Sequence, residues 1–389
     1  MKKGWPTKRL GDLFAFKNGR AFKKEEWTTK GLPISRIQNL NNEDASFNYF
    51  AGEYSQDILV EPGDLLFSWS GTVGSSFGSH LWTGEPGVLN QHIFKIGLRE
   101  TIAKRYAFHG LRYITAEIEQ SVNGAVGLVH ITKERLNEFT LPIPPLAEQQ
   151  RIVGLLDEAF EGIATAKGNT EKNLQNARAL FESHLQSVFT QRGPGWVETT
   201  IGEACVLKSG TTVSPMLEKP IGDVPYLKVA DMTFVGNADK ITTSSRFLCD
   251  EDVRESSIIP KGSTIFPKRG GAILTNKKRI TSVSICADLN IMAVIPSSQI
   301  DSELLYLYFI NVDMRKLGTG STIPQINNYD VAPLLISFPA AISEQRKIVA
   351  ELGELRKETQ RLARLYERKL AALEALKKSL LHQAFSGEL

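Results

Sequence analysis

Between Lys268 and Arg279 the chain places five basic residues and no acid in twelve positions, around Lys268-Arg269-Gly270-Gly271 and Asn276-Lys277-Lys278-Arg279. Arg, Lys and Asn side chains are the types that hydrogen-bond base edges, and each well-made bidentate pair is worth ~1–3 kcal/mol of discrimination. Lys and Arg also meet phosphates, and glycine lets a backbone approach a ligand closely. A plain solvated loop is the weaker alternative for this stretch. In the N-terminal part, Lys17, Arg20, Lys23 and Lys24 form a basic run that Glu25-Glu26 partly cancels. Arg36, Gln38 and Asn39 are base-reading types in one loop, and Lys228 takes the place of Arg36 further along. Ser68-Trp69-Ser70-Gly71-Thr72 is uncharged and offers the hydroxyls of Ser70 and Thr72, while Gln91 sits in Asn90-Gln91-His92.

Catalytic constellations are not found. Gly-Lys does not occur, so no GxxxxGK[ST] phosphate loop is present. No HExxH motif or Cys/His cluster of zinc spacing is found. Ser70-Gly71-Thr72-Val73-Gly74 lacks the phosphate-loop lysine and is read as a turn. Pro144-Pro145-Leu146 lacks both the Asp or Asn and the aromatic residue of an amino-methyltransferase motif. Cys205, Cys249 and Cys286 are too few and too scattered for a disulfide framework, which fits a reducing cytoplasm. Neither a signal peptide nor an apolar run long enough for a bilayer is expected.

The elements that must position these residues are repeated. A shift of 196 lays Glu148–Phe189 on Glu344–Phe385 without a gap: Glu148-Gln149 on Glu344-Gln345, Ile152-Val153 on Ile348-Val349, Leu185 on Leu381. Both stretches are proline-free and carry apolar residues in alternating steps of four and three, which predicts two long helices with a coiled-coil seam. That seam runs Ile152, Leu156, Ala159, Ile163, Ala166, Thr170, Asn173, Ala177, Leu180, His184 in the first, and passes through Lys369 and Leu376 in the second.

The repeat continues outside the helices. Gly19 matches Gly210 at a shift of 191, Pro33–Ile37 matches Pro225–Val229 at 192, and Phe67 matches Phe266 at 199. Short apolar runs such as Leu32–Ile37, Asp64–Trp69, Val224–Val229 and Asn290–Ile295 predict strands, and Ile102–Val122 and Ser302–Leu317 predict shorter helices. The drifting shift marks loops that diverged between two copies of one unit. The expected organisation is α+β. Two mixed, strand-rich domains (1–146 and 193–341) are joined by two long antiparallel coiled-coil helices (147–192 and 342–389) as a pseudo-two-fold internal repeat. Net charge is only +3, so a basic face must come from placement.

Leu141-Pro142-Ile143-Pro144-Pro145-Leu146-Ala147-Glu148-Gln149-Gln150-Arg151-Ile152-Val153 introduces the first helix, Ser343-Glu344-Gln345-Arg346-Lys347-Ile348-Val349 the second, and Ala384-Phe385-Ser386-Gly387-Glu388-Leu389 closes the chain. This pattern resembles the DNA-specificity subunit of type I restriction–modification enzymes over the full length. The resemblance implies two target-recognition domains, each reading half of a split asymmetric site on double-stranded DNA. It implies a helical spacer that docks two methyltransferase (modification) subunits, joined by restriction/translocase subunits. S-adenosylmethionine, ATP and magnesium would belong to those partners, with no cofactor or metal in this chain, no membrane, and no catalysis of its own. Outward polar residues Gln149, Gln150, Glu158, Lys172 and Arg178 are candidates for partner contact, or an ordinary solvated helix face. The competing reading is a coiled-coil adaptor presenting two β-rich domains to protein ligands.

Overall fold

The computed structural model describes residues 5–42, 44–72, 77–99, 101–121, 128–191, 193–318 and 324–389. Val73-Gly74 of the expected turn and the expected helix end at Val122 lie outside these. The chain divides into two compact units, residues 1–171 with 368–389, and residues 172–367.

In the first unit a four-stranded antiparallel sheet runs in the order Phe14–Asn18, Ile93–Leu98, Leu65–Ser68, Gly78–Leu81. A second four-stranded sheet contains Asn48–Phe50, Leu32–Ser35, Gly87–Leu89 and Leu59–Val60, with Leu32–Ser35 parallel to Gly87–Leu89. Helix Lys104–Ser121 buries Tyr106, Ala107, Leu111 and Ile114 against Phe14, Phe67 and Phe94. The same core takes Ile152 and Leu156 from the first long helix, Leu146–Thr190, and Leu381, Ala384 and Phe385 from the second, Ile342–Ser386. Phe385 stacks on Tyr113 with ring centres 5.3 Å apart.

The second unit repeats this plan. Its five-stranded sheet runs Cys205–Ser209, Ile291–Pro296, Thr264–Pro267, Arg279–Thr281, Lys240–Ile241. A three-stranded sheet holds Val224–Leu227 between Phe247–Leu248 and Cys286–Ala287. Helix Ser302–Asn311, capped by Asp301, packs with Leu185, Val188 and Phe189 of the first long helix and Leu352 of the second. Each lobe is closed by a two-stranded ladder immediately before a long helix: Thr7–Arg9 with Thr140–Pro142, and Trp196–Thr200 with Leu335–Pro339.

The two long helices, each of 45 residues, are about 67 Å long at the standard rise. They run antiparallel within each unit. In the first, Arg151 donates to the carbonyl of Leu389 (2.9 Å) and Lys167 pairs with Glu374 (2.9 Å). In the second, Arg178 pairs with Glu367 (2.8 Å) while Leu185 shares a core with Leu352. The strict heptad seam holds as far as Thr170 and then slips. Asn173, Leu180 and His184 are exposed, and Leu174, Phe181 and Leu185 take the inner positions; in the second helix Leu370 and Lys377 replace Lys369 and Leu376. A helix of 3.6 residues per turn drifts ~20° per heptad against a 3.5 repeat. An added step of four absorbs that drift.

Candidate nucleic-acid interface

Two backbone crossings, made identically in both units, aim the candidate side chains. At the first, Gly19 N donates to Ile93 O (3.0 Å) and Arg20 N to Leu89 O (2.8 Å). Its counterpart has Gly210 N on Ile291 O (3.0 Å) and Thr211 N on Ala287 O (2.8 Å). A Cβ at Gly19 would stand 2.1 Å from Asn90 O, and one at Gly210 2.2 Å from Asp288 O. Only glycine permits this approach. The crossing delivers Arg20 in one unit and Thr211 in the other. Arg20 is exposed, lies over the Phe22 and Phe50 rings at 4.9 and 5.0 Å, and pairs with Glu26.

At the second crossing Trp69 N donates to His92 O (3.2 Å) and Ile131 N to Trp69 O (3.0 Å). The counterpart is Lys268 N on Asn290 O (2.8 Å) and Ile326 N on Lys268 O (2.9 Å). The side chains follow the same rule: Trp69 Nε1 donates to Asn18 Oδ1 (3.1 Å), and Lys268 Nζ to Ser209 Oγ (2.7 Å). Next in line stand Ser70 and Arg269, bridged to His130 and Gln325 respectively. One position therefore carries a buried serine beside an exposed histidine in the first unit, and an exposed arginine beside a glutamine in the second. Trp69 is flanked by His92 and His130, with ring centres 5.2 and 6.2 Å away.

The basic loop of the second unit sorts into two groups. Arg269 is exposed and Lys277 half-exposed. Lys268 and Lys278, expected at the interface, are buried. Burial lowers Lys268, helped by Arg269, and pushes Lys278 down to about 8. Lys278 Nζ donates to Asn276 Oδ1 (2.8 Å), and that oxygen also accepts from Met314 N (2.9 Å). Asn276 adopts φ +52°, a left-handed conformation Asn tolerates. Arg279 is also turned inward, donating to the carbonyls of Asn237 and Lys278, both at 2.7 Å. These inner residues shape the loop, and Arg269 and Lys277 are its outward cations.

Arg36 and Lys228 each precede a short helical turn. Arg36 lies 5.5 Å over Trp27, whereas Lys228 is held by Glu218 at 2.7 and 2.9 Å. Gln38 is exposed. Asn39 is not: its Oδ1 accepts from Arg36 N (3.1 Å) and its Nδ2 donates to Ala45 O (3.1 Å) and Ser46 O (3.3 Å). The expectation that Asn39 meets bases is corrected, because its polar atoms fold the loop. Asp231 has the same duty in the second unit, accepting from Lys228 N (2.8 Å) and Ser245 Oγ (2.6 Å). Lys17 is exposed and paired with Asp57 (2.5 Å), and Lys23 is exposed. Thr72 ends strand Ser70–Thr72. Gln91 Nε2 is 3.3 Å from His92 Nε2, and Gln91 Oε1 is buried without a partner among the described residues.

On the helices, Gln150, Glu158 and Lys172 are exposed, and Arg178 is exposed but paired with Glu367. Gln149 is buried. Its Oε1 accepts from Ala103 N (2.9 Å) and its Nε2 donates to Pro144 O (2.9 Å), so it is an internal clamp and not a docking residue. Sequence reasoning marked Gln325 as a base-reading type or a turn, and passed over Trp69, His130 and Asp231. The signal for them was the repeat itself, carried through the loops residue by residue. Among the described residues no group of three or more His, Cys, Asp or Glu could hold a metal, and no helix is long and apolar enough to cross a membrane.

Comparison with known proteins gives one answer. The chain is 30% identical over 191 residues to the type I restriction enzyme EcoBI specificity subunit of Escherichia coli, a match covering 48% of this chain and 39% of that protein. It is 22% identical to the MjaVIII specificity subunit of Methanocaldococcus jannaschii, covering 99% of this chain and 93% of that one. Among solved structures, the chain resembles one from a study of complex assembly and conformational transition in the type I R-M system (TM-score 0.78, 19% identity, 100% of this chain and 99% of that chain). It also resembles the HsdS subunit from Thermoanaerobacter tengcongensis (TM-score 0.60, 19% identity, 100% and 98%). Matched over residues 2–175 and again over 194–368 by the type I restriction modification DNA specificity domain, the chain belongs to that family and carries its domain twice.

Proposed function

We propose that this chain is the non-catalytic DNA-reading subunit of a type I restriction–modification complex, with residues 1–146 and 193–341 each reading one half of a split double-stranded target. The helices spanning 147–192 and 342–389 set the separation of the half-sites. Their exposed residues, among them Gln150, Glu158 and Lys172, dock two methyltransferase subunits, to which restriction/translocase subunits add. S-adenosylmethionine, ATP and magnesium belong to those partners.

One observation carries this reading. The two units share their crossings and clamps but differ at the positions these deliver: Arg20 against Thr211, and a buried Ser70 beside an exposed His130 against an exposed Arg269 beside Gln325. A common frame with unlike tips is what two readers of different base sequences require, since bases are distinguished by the donor and acceptor pattern of their edges. Arg20, Arg36 and Gln38 are the proposed contacts of the first unit, and Arg269, Lys277 and Gln325 those of the second. Lys17 and Lys23 are placed for phosphates.

The test is a gel shift of the chain with and without the methyltransferase subunit, on duplexes carrying and lacking the sequence methylated in the host. The proposal expects selective retention of the methylated sequence, strengthened by the partner. Equal affinity for all duplexes under both conditions would leave the adaptor reading standing instead.

A further inference from the structure

The first unit contains a cleft of about 440 Å³ between strand Gly78–Leu81, helix Lys104–Ser121 and the last turns of the second long helix. Its titratable lining is His80, Arg112, Lys377, Lys378 and Glu374. Glu374 is already paired with Lys167 at 2.9 Å. Arg112 lies over the rings of Phe108 (5.2 Å) and Phe160 (5.9 Å), and Lys377 Nζ is 5.7 Å from the Phe160 ring centre. Arg112 has no hydrogen-bond or ion-pair partner among the described residues. His80 Nε2 is buried and likewise unpartnered. Burial depresses Lys377, and the neighbouring Arg112 depresses it further against the opposing pull of Glu374. Glu374, shared with Lys167, is the one carboxylate in this lining among the described residues and acts on Arg112 and Lys377 only at longer range, so the cations outnumber it. Half-buried cations in excess of carboxylates are costly, and a further carboxylate relieves that cost.

The internal repeat shows what fits such a place. Strand register puts His80 opposite Leu66 as Arg279 is opposite Ile265. The helix match puts Phe108 at Tyr306, and the shift of 196 puts Phe160 at Arg356. In the second unit a segment of the chain itself enters this corner, and Asp239 Oδ1 accepts from Arg356 Nη2 at 2.5 Å. Tyr306, raised mainly by burial, lies within electrostatic reach of Arg356, Asp239 and Arg279. The second unit therefore supplies a carboxylate in direct contact with its arginine, whereas in the first Glu374 is bonded to Lys167 and Arg112 and Lys377 face an open cleft without such a contact among the described residues.

We infer that the cleft of the first unit receives an acidic peptide segment of a protein partner, with Arg112 and Lys377 gripping a carboxylate in the place Asp239 fills in the second unit. This is independent of which bases the chain reads.

The test is fluorescence anisotropy of labelled hexaglutamate titrated into the full-length chain at low salt. Arg112→Gln combined with Lys377→Gln is expected to weaken binding at least tenfold, Lys378→Gln a few-fold, and Lys30→Gln not at all. Unchanged hexaglutamate affinity in the double variant overturns the inference. So does a tenfold loss of duplex DNA affinity in the same variant, which would make the cleft a phosphate site; DNA binding is expected to be unaltered. If the double variant does not fold, the His80 ring resonances of the unsubstituted chain decide. They should shift with hexaglutamate and not with hexalysine, and resonances unmoved by hexaglutamate overturn the inference.

Discussion

Gln149 and Gln345, 196 residues apart, form the same buried clamp. The Oε1 of each accepts a backbone N–H at the start of the lobe's shorter helix, Ala103 at 2.9 Å and Asp301 at 2.7 Å. The Nε2 of each donates to the proline-rich entry of its long helix, Pro144 O at 2.9 Å and Pro339 O at 2.8 Å. The clamp ties the lobe to the helix that leaves it. Leucine at either position would strand a buried donor and acceptor, each orphan costing about 1–3 kcal/mol. Gln149→Leu and Gln345→Leu should each lower unfolding free energy by about 2–4 kcal/mol in urea titration. A loss below about 0.5 kcal/mol, the range of an ordinary surface change, would mean that the clamp is dispensable.

Gly19→Ala and Gly210→Ala should be among the most damaging small substitutions. Each Cβ would fall within 2.2 Å of a backbone carbonyl oxygen, which no side-chain rotation relieves. A loss of about 3 kcal/mol or more is expected in thermal or urea unfolding, since the backbone itself must shift. The same change at Gly154, where a Cβ would meet nothing, should be neutral or slightly stabilising because Ala favours a helix interior.

Asn39 and Asp231 share a place and differ in chemistry. Asn39 donates to two carbonyls, so Asn39→Asp would aim a carboxylate at them. The Asp231 carboxylate accepts, and Asp231→Asn would turn an NH2 group toward donors. Both exchanges should cost about 1–3 kcal/mol and speed hydrogen exchange in the segment they fold, Ala45–Ser46 or Ser244–Ser245.

Stability should fall on mild acidification. Burial holds His80 at about 4, with Arg112 adding to the effect, and burial also lowers His109 against the opposing pull of Asp157. Both rings fold in the neutral form. Their contribution is complete above the unfolded value near 6.5 and is lost as pH falls, for His80 down to about 4. Each group can add a slope of up to about 1.4 kcal/mol per pH unit in that window. Urea midpoints measured from pH 7.5 to 4.5 should decline, and His80→Asn should flatten the curve.

The long helices and the strand-rich lobes were legible because they rest on periodicity, a local property of the chain, and the duplication because a shift of 196, constant along the helices and drifting only in the lobes, can be read directly from residue types. The candidate contacts were less so. Side-chain type marks Lys268, Lys278, Arg279 and Asn39 as suited to DNA, but whether each points outward depends on partners distant in sequence, such as Ser209 for Lys268 and Asn237 for Arg279. Gln149 was misread for the same reason, since its partner Ala103 lies 46 residues away. The heptad seam failed beyond Thr170 because an unbroken step pattern cannot show where a nearly straight helix drops back to its natural period.

Two unlike readers on one frame make a prediction at separate ends of the target. Selection from a randomised duplex library by the chain with its methyltransferase subunit should return two short specified blocks separated by an unspecified gap. Arg269→Ala should relax one block alone, and Arg36→Ala the other, each by about 1–3 kcal/mol at the affected base pair. A single continuous motif, or a loss of preference in both blocks from either substitution, would contradict the account.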